Sequence, residues 1–192
     1  MKLTPHLVRR GLAATAIIGA AILLPTIALA SSGSAGAASV AATAQRCHTS
    51  ELTVWLGTPG NGAAGSVYYD LELSNTSNST CTLFGFPGVS ADNGGKQLGS
   101  AAGRSHSRPS TLVTLRPGGT SHVILQIADV GVYPQSACAP VTARFLRVYP
   151  PGAFASINMP FQGSFRACSR SGPVYLHVSP VIAGTGIPGS GH

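Results

Sequence analysis

Apolar residues fall into two regimes along this chain. From Gly11 to Ala30 they run almost unbroken, as "GLAATAIIGAAILLPTIALA". Beyond Arg46 they alternate with polar residues in short bursts, the two-residue period of a half-buried β-strand. "ELTVWL" sets Leu52, Val54 and Leu56 on one side. "GSVYYDLELSN" sets Val67, Tyr69, Leu71 and Leu73 inward, and Tyr68, Asp70 and Glu72 outward. "CTLFGFPGV" is a short apolar run whose Pro87 suits a bend or an edge strand. "STLVTL" and "SHVILQIAD" flank "RPGG", which reads as strand, turn and strand. "VTARFLRVY" and "GPVYLHV" add two more strands. The joints "GTPGNGAAG", "NTSNST" and "DNGG" are built from turn-forming residues. Beyond the leader, no stretch keeps a helical period over three turns. This pattern predicts an all-β fold, an immunoglobulin-like Greek-key β-sandwich clamped by two disulfides.

The unbroken run reads as a signal peptide over residues 1–30. Lys2, Arg9 and Arg10 form its basic start, and Ala28-Leu29-Ala30 gives a small-x-small cleavage site. The run is long enough to span a bilayer, but Pro25 and the cleavage site favour removal over retention as an anchor. Arg9-Arg10 fits a twin-arginine signal only weakly. Residues 31–45, "SSGSAGAASVAATAQ", are expected to form a flexible stem. Residues 46–183 form a single domain, and 184–192 a Gly-rich tail. The product is secreted or cell-wall associated, with no transmembrane segment after cleavage.

Cleavage changes the charge argument. The whole chain carries +7, from twelve basic and five acidic residues. Three basic residues leave with the leader, so nine remain against five and the net charge is near +4. Nucleic-acid binding loses its main support.

All four cysteines, Cys47, Cys81, Cys138 and Cys168, follow the leader. An even number in an exported chain implies disulfides, and four cysteines allow three connectivities. Strand order favours one of them. If "ELTVWL" and "GSVYYDLELSN" form an antiparallel pair, Cys47 and Cys81 lie at the same end of it. Cys138 and Cys168 likewise precede strand-like segments. The favoured pairs are Cys47–Cys81 and Cys138–Cys168.

Candidate chemistry is sparse. There is no C-x-x-C, no G-x-S-x-G elbow and no full calcium loop around "DNGG", which reads as a turn. His48, His106, His122, His177 and His192 are scattered. No catalytic residue, metal ligand or cofactor is assigned. Asp70 and Glu72 share a strand face that would suit a cation, but a solvated outer face is the preferred reading. Asn75 and Asn78 begin N-x-S/T sequons and mark an exposed turn. Trp55 and Tyr68 could form an aromatic patch, although a covered Trp55 is preferred. The loop "GRSHSRPS" offers Arg104, His106 and Arg108 to an anionic polymer. These five residues form the candidate binding surface.

The ordered segments "CHTSEL", "GSVYYDLELSNTSNSTCTLFGFPGV", "LRPGGT", "CAP" and a late "AC" resemble the domain-of-unknown-function family 4232. The resemblance covers about Arg46 to Val181. It implies an exported protein or lipoprotein of high-GC Gram-positive bacteria and a β domain with paired cysteines. It implies no activity. The resulting expectation is a non-enzymatic extracellular or cell-envelope binding module, whose partner is an envelope polymer or an extracellular protein. The alternatives are a secreted hydrolase with a spatially assembled site and a purely structural envelope protein.

Overall fold

The computed structural model describes residues 44–57 and 61–186. The expected leader and nearly all of the expected stem lie outside them. The first strands are β1 (Gln45–Arg46), β2 (Leu52–Leu56), β3 (Asn61–Ala63), β4 (Ser66–Asn75) and β5 (Cys81–Phe84). The middle of the chain forms β6 (Gly88–Asn93), β7 (Lys96–Leu98), β8 (Gly103–Arg104), β9 (Leu112–Leu115) and β10 (Thr120–Ala128). A single-turn helix, α1 (Gln135–Cys138), precedes β11 (Pro140–Tyr149), β12 (Ile157–Cys168), β13 (Leu176–Val178) and β14 (Ile182–Ala183).

These strands make an all-β fold of three sheets. The large sheet runs β2-β4-β10-β13-β8, with β3 on β4 and β14 on β10. A second sheet runs β12-β11-β6-β7, and a small third one runs β1-β5-β9. The two-residue alternation explains the core. Leu71, Leu73, Val123, Leu125, Leu176 and Val178 point inward from the large sheet. Ala91, Leu146, Val148 and Met159 come from the second sheet, and Leu83, Val113 and Leu115 from the third. All belong to one hydrophobic cluster.

The antiparallel pairing of β2 and β4 follows the alternation, with Val54 opposite Leu73. The "DNGG" turn closes β6 onto β7 with Asn93 opposite Lys96. Gly94 and Gly95 both take positive φ there, which a two-residue hairpin of this hand requires. Asp92 is fully buried, accepts from the Gly95 N–H at 2.7 Å and pairs with Arg147 at 2.5 Å. That carboxylate is committed to the turn.

Two features lie beyond the sequence reading and a third corrects it. The strands flanking "RPGG" do not pair with each other: β9 joins β5 and β10 joins β4. β12, the longest strand, carries no clean alternation. Its register slips, so that Ala143 faces Phe165 while Phe145 faces Pro160. β12 is the edge of its sheet, where a proline costs no ladder bond on the open side. Finally, Asn75 is buried rather than exposed, and only Asn78 of the two sequons lies at the surface. The Asn75 side chain accepts from the Ser77 N–H at 2.9 Å and donates to Ser79 O at 2.8 Å, which shapes the "NTSNST" turn.

That turn delivers Cys81 to Cys47, and the second disulfide joins Cys138 to Cys168. All four cysteines are buried. The two bonds point to an oxidising compartment.

Candidate functional site

The outer face of the large sheet is polar, and register determines which of its side chains meet. Tyr68 on β4 stands opposite Gln126 on β10, and Gln126 opposite His177 on β13. One step along, Asp70 faces Ile124. The next row is Trp55, Glu72 and His122, and the last holds Thr53, Ser74 and Thr120.

The first of these rows floors a cavity of about 280 Å³. Tyr68, Ile124, Gln126 and His177 come from the sheet, Ser179 directly follows β13, and Ser105, Ser107 and Arg108 come from the loop after β8. The volume falls just under the usual range for ligand pockets, roughly 300–1,000 Å³. Gln126 donates to Ser66 Oγ at 2.9 Å, and Ser179 Oγ donates to Pro180 O at 2.9 Å. Tyr68 and Arg108 are each engaged within the protein. Ser105 donates to Ser107 Oγ at 3.3 Å. The His177 Nδ1 is buried and has no hydrogen-bond partner. Gly103 lies beside the ring, where a Cβ would stand 3.2 Å from Nε2 and 2.9 Å from Cδ2.

The basic loop divides its side chains. Arg108 joins Tyr68 in the cavity wall. Arg104 instead lies over the Phe86 ring, 5.6 Å from its centroid, and His106 packs edge-on against the same ring at 4.9 Å. The expected aromatic pair is also separated. Trp55 sits in the Glu72 row, two rows from Tyr68, and does not line the cavity.

Trp55 is 40% exposed rather than covered. Its strand, β2, is the edge of the large sheet, so only β4 flanks it. The indole N–H donates to Ser74 Oγ at 3.1 Å, which in turn bonds Thr120 Oγ1 at 2.8 Å. Trp55→Ala is therefore expected to cost about 1 kcal/mol or less, the scale of one net hydrogen bond at a surface position. Trp55 is the only tryptophan, so iodide quenching of the native protein reads its exposure directly. A blue-shifted, unquenched emission would contradict this placement.

The carboxylates of the outer face are not solvated. Asp70 is 5% exposed and Glu72 is 1% exposed. The segment after β14 covers them. Gly186 N–H donates to Glu72 Oε1 at 2.7 Å, and His122 Nδ1 bonds Gly184 O at 2.8 Å. The backbone lies so close that a Cβ on Gly186 would stand 2.2 Å from Asp70 Cγ, and one on Gly57 2.5 Å from Glu72 Oε1. Glu72 Oε2 has no partner. Burial pushes the Glu72 carboxyl above its ordinary range; the Gly186 N–H and His122 pull it back, and Asp70 raises it further. An acid held in its neutral form by the fold favours the folded state below its unfolded value near 4.5, and that advantage fades as pH rises through the raised value. Glu72→Gln keeps an acceptor for Gly186 and removes the ionisation. Relative to the parent, its urea midpoint is expected to improve as pH rises from 4.5 through the raised value and then to level off. A midpoint difference that stays constant with pH would count against the buried acid.

Another hollow, of about 500 Å³, opens beside Val67, Tyr69, Ile127 and Phe165. Its walls are mainly apolar, and it brings together fewer groups able to orient a ligand. Among the described residues, no group of three His, Cys, Asp or Glu is placed to hold a metal ion. None of their helices is long and apolar enough to cross a membrane.

Sequence reasoning named Tyr68 and Arg108 but missed Ser105, Ser107, Gln126, His177 and Ser179. Gln126 and His177 each interrupt an apolar strand, as "LQI" and "LHV". That signal marks an outward position; only strand pairing brings the two together. A family model described as Domain of unknown function (DUF4232) matches residues 47–181, which contain every residue of the cavity wall. No curated protein and no solved structure matches the chain.

Proposed function

The chain belongs to this family of unknown function, and from that premise we propose that its domain is an exported, non-enzymatic binding module of the cell envelope, with the outer-face cavity as its ligand site. The observation that carries this reading is the convergence of Tyr68, Arg108, Gln126 and His177 on one small cavity floored by rigid strands. Export is supported by the leader-like run at residues 1–30 and by two buried disulfides.

The rival reading is a hydrolase, because His177 lies with three serines. The state of the imidazole argues against it. A histidine that activates serine uses Nδ1–H to bond a carboxylate and keeps Nε2 free to accept. Here Nδ1 is buried without a partner, and no Asp or Glu lines the cavity. An orphaned N–H is rarer inside proteins than an orphaned acceptor. The proton therefore belongs on Nε2, which makes that nitrogen a donor to a ligand rather than a base.

The test is retention of the exported chain on envelope material from a high-GC Gram-positive bacterium. The Tyr68→Ala/Gln126→Ala double variant, with its fold checked by circular dichroism, is expected to wash off while the parent stays. Equal retention of the two, or no retention of the parent, would reject the reading.

A further inference from the structure

We infer that the outer-face cavity recognises an oxyanion, a carboxylate or phosphate group, held by the Arg108 guanidinium, the His177 Nε2–H and the hydroxyls of Ser105 and Ser107. This inference rests on the cavity being the binding site.

The donor set suits an oxyanion. Arg108 is permanently charged and presents its N–H groups in a planar fork that matches two oxygens of a carboxylate or phosphate. Ser105 and Ser107 stand on the same loop, 3.3 Å apart between their oxygens, and can turn both hydroxyls towards an acceptor.

His177 adds a further donor. Its partnerless buried Nδ1 places the proton on Nε2. Gly103 leaves that nitrogen uncovered: a Cβ there would crowd it at 3.2 Å. The φ of Gly103 lies outside the left-handed region, so backbone conformation does not call for glycine at this position. Space does: a Cβ would crowd Val174 Cγ1 at 3.1 Å as well as the imidazole.

Negative charge is absent from the cavity lining. The nearest acids on this sheet face, Asp70 and Glu72, are sealed beneath Gly57 and Gly186. Neither lines the cavity. The cavity lining itself therefore carries one permanent positive charge, on Arg108, and no carboxylate. The hydroxyls of Tyr68, Ser105, Ser107 and Ser179 can accept as well as donate, so a neutral sugar is the competing ligand that the experiment includes.

The probes are sodium phosphate, sodium acetate and glucose, titrated into the exported chain by calorimetry at constant ionic strength. Saturable binding of phosphate or acetate is expected, with glucose silent. Arg108→Ala should weaken it at least about tenfold, the scale of one lost charge-assisted hydrogen bond. Gly103→Ala, which retains every donor but crowds the imidazole, should weaken it in the same direction with the fold intact. The tighter of the two anions identifies the source as carboxylate or phosphate. Binding of glucose alone overturns the oxyanion while leaving the cavity as the site. Anion binding unchanged in both variants overturns the assignment of Arg108 and His177. If no probe binds, the oxyanion is overturned; retention on envelope material that still depends on Tyr68 and Gln126 would then preserve the wider reading.

Discussion

Replacing all four cysteines by alanine is expected to unfold the domain at 37 °C. The Cys47–Cys81 bond closes a loop of sequence separation 34, and Cys138–Cys168 one of 30. Loops of this size restrict the unfolded chain by roughly 3.5–4 kcal/mol each in the loop-entropy argument. Together that is comparable to the whole stability of a typical domain, about 5–15 kcal/mol. The two bonds also anchor different parts of the fold. The first ties the entry to β2 onto β5, where Cys47 N–H donates to Thr82 O at 3.0 Å. The second ties α1 to the end of β12, the edge strand of the second sheet. Each paired variant, Cys47→Ala/Cys81→Ala and Cys138→Ala/Cys168→Ala, should therefore lose stability on its own. Urea denaturation followed by circular dichroism measures both. A quadruple variant whose midpoint is barely displaced would show that the core alone carries the fold.

Tyr175 should have the largest effect of any single side chain. It is completely buried, its ring lies against Gly99, and its hydroxyl donates to Leu98 O at 3.3 Å. Tyr175→Ala removes a buried ring and leaves a cavity, at about 3–5 kcal/mol. Tyr175→Phe keeps the packing and leaves Leu98 O without this donor, at about 1 kcal/mol. The two residues also differ in alkali. Burial, partly offset by hydrogen bonding from the Cys168 backbone, pushes the phenol up to about 12. The unfolded chain releases that proton near pH 10, while the folded chain keeps it. Stability from this group is thus intact below pH 10 and falls between pH 10 and 12, by roughly 2–3 kcal/mol. The phenylalanine variant has no such proton. It should be the weaker protein at pH 8 and overtake the parent above pH 10. Parallel midpoint curves across that range would mean that the hydroxyl reaches solvent.

Much of this fold is written locally. The alternation in "ELTVWL", "GSVYYDLELSN" and "SHVILQIAD" sets which residues of β2, β4 and β10 face the core, because a strand offers only two faces. Gly94-Gly95 sets the β6–β7 hairpin, because positive φ at two successive residues is open to few side chains. The cysteine pairing follows from the same local logic, since antiparallel strands return the chain to where it began. Three things were decided elsewhere. β12 hides behind Pro160 and Gly163, since an edge strand with a slipped register need not alternate. Asp70 and Glu72 occupy outward positions yet lie buried, because a segment more than a hundred residues later folds across them. And the candidate site draws on β4, β10, β13 and the loop after β8, four segments separated by tens of residues. Local preference can show that Gln126 and His177 point away from the core. Only the hydrogen-bond register between strands decides that they stand side by side, with Tyr68 next to one and Gly103 next to the other.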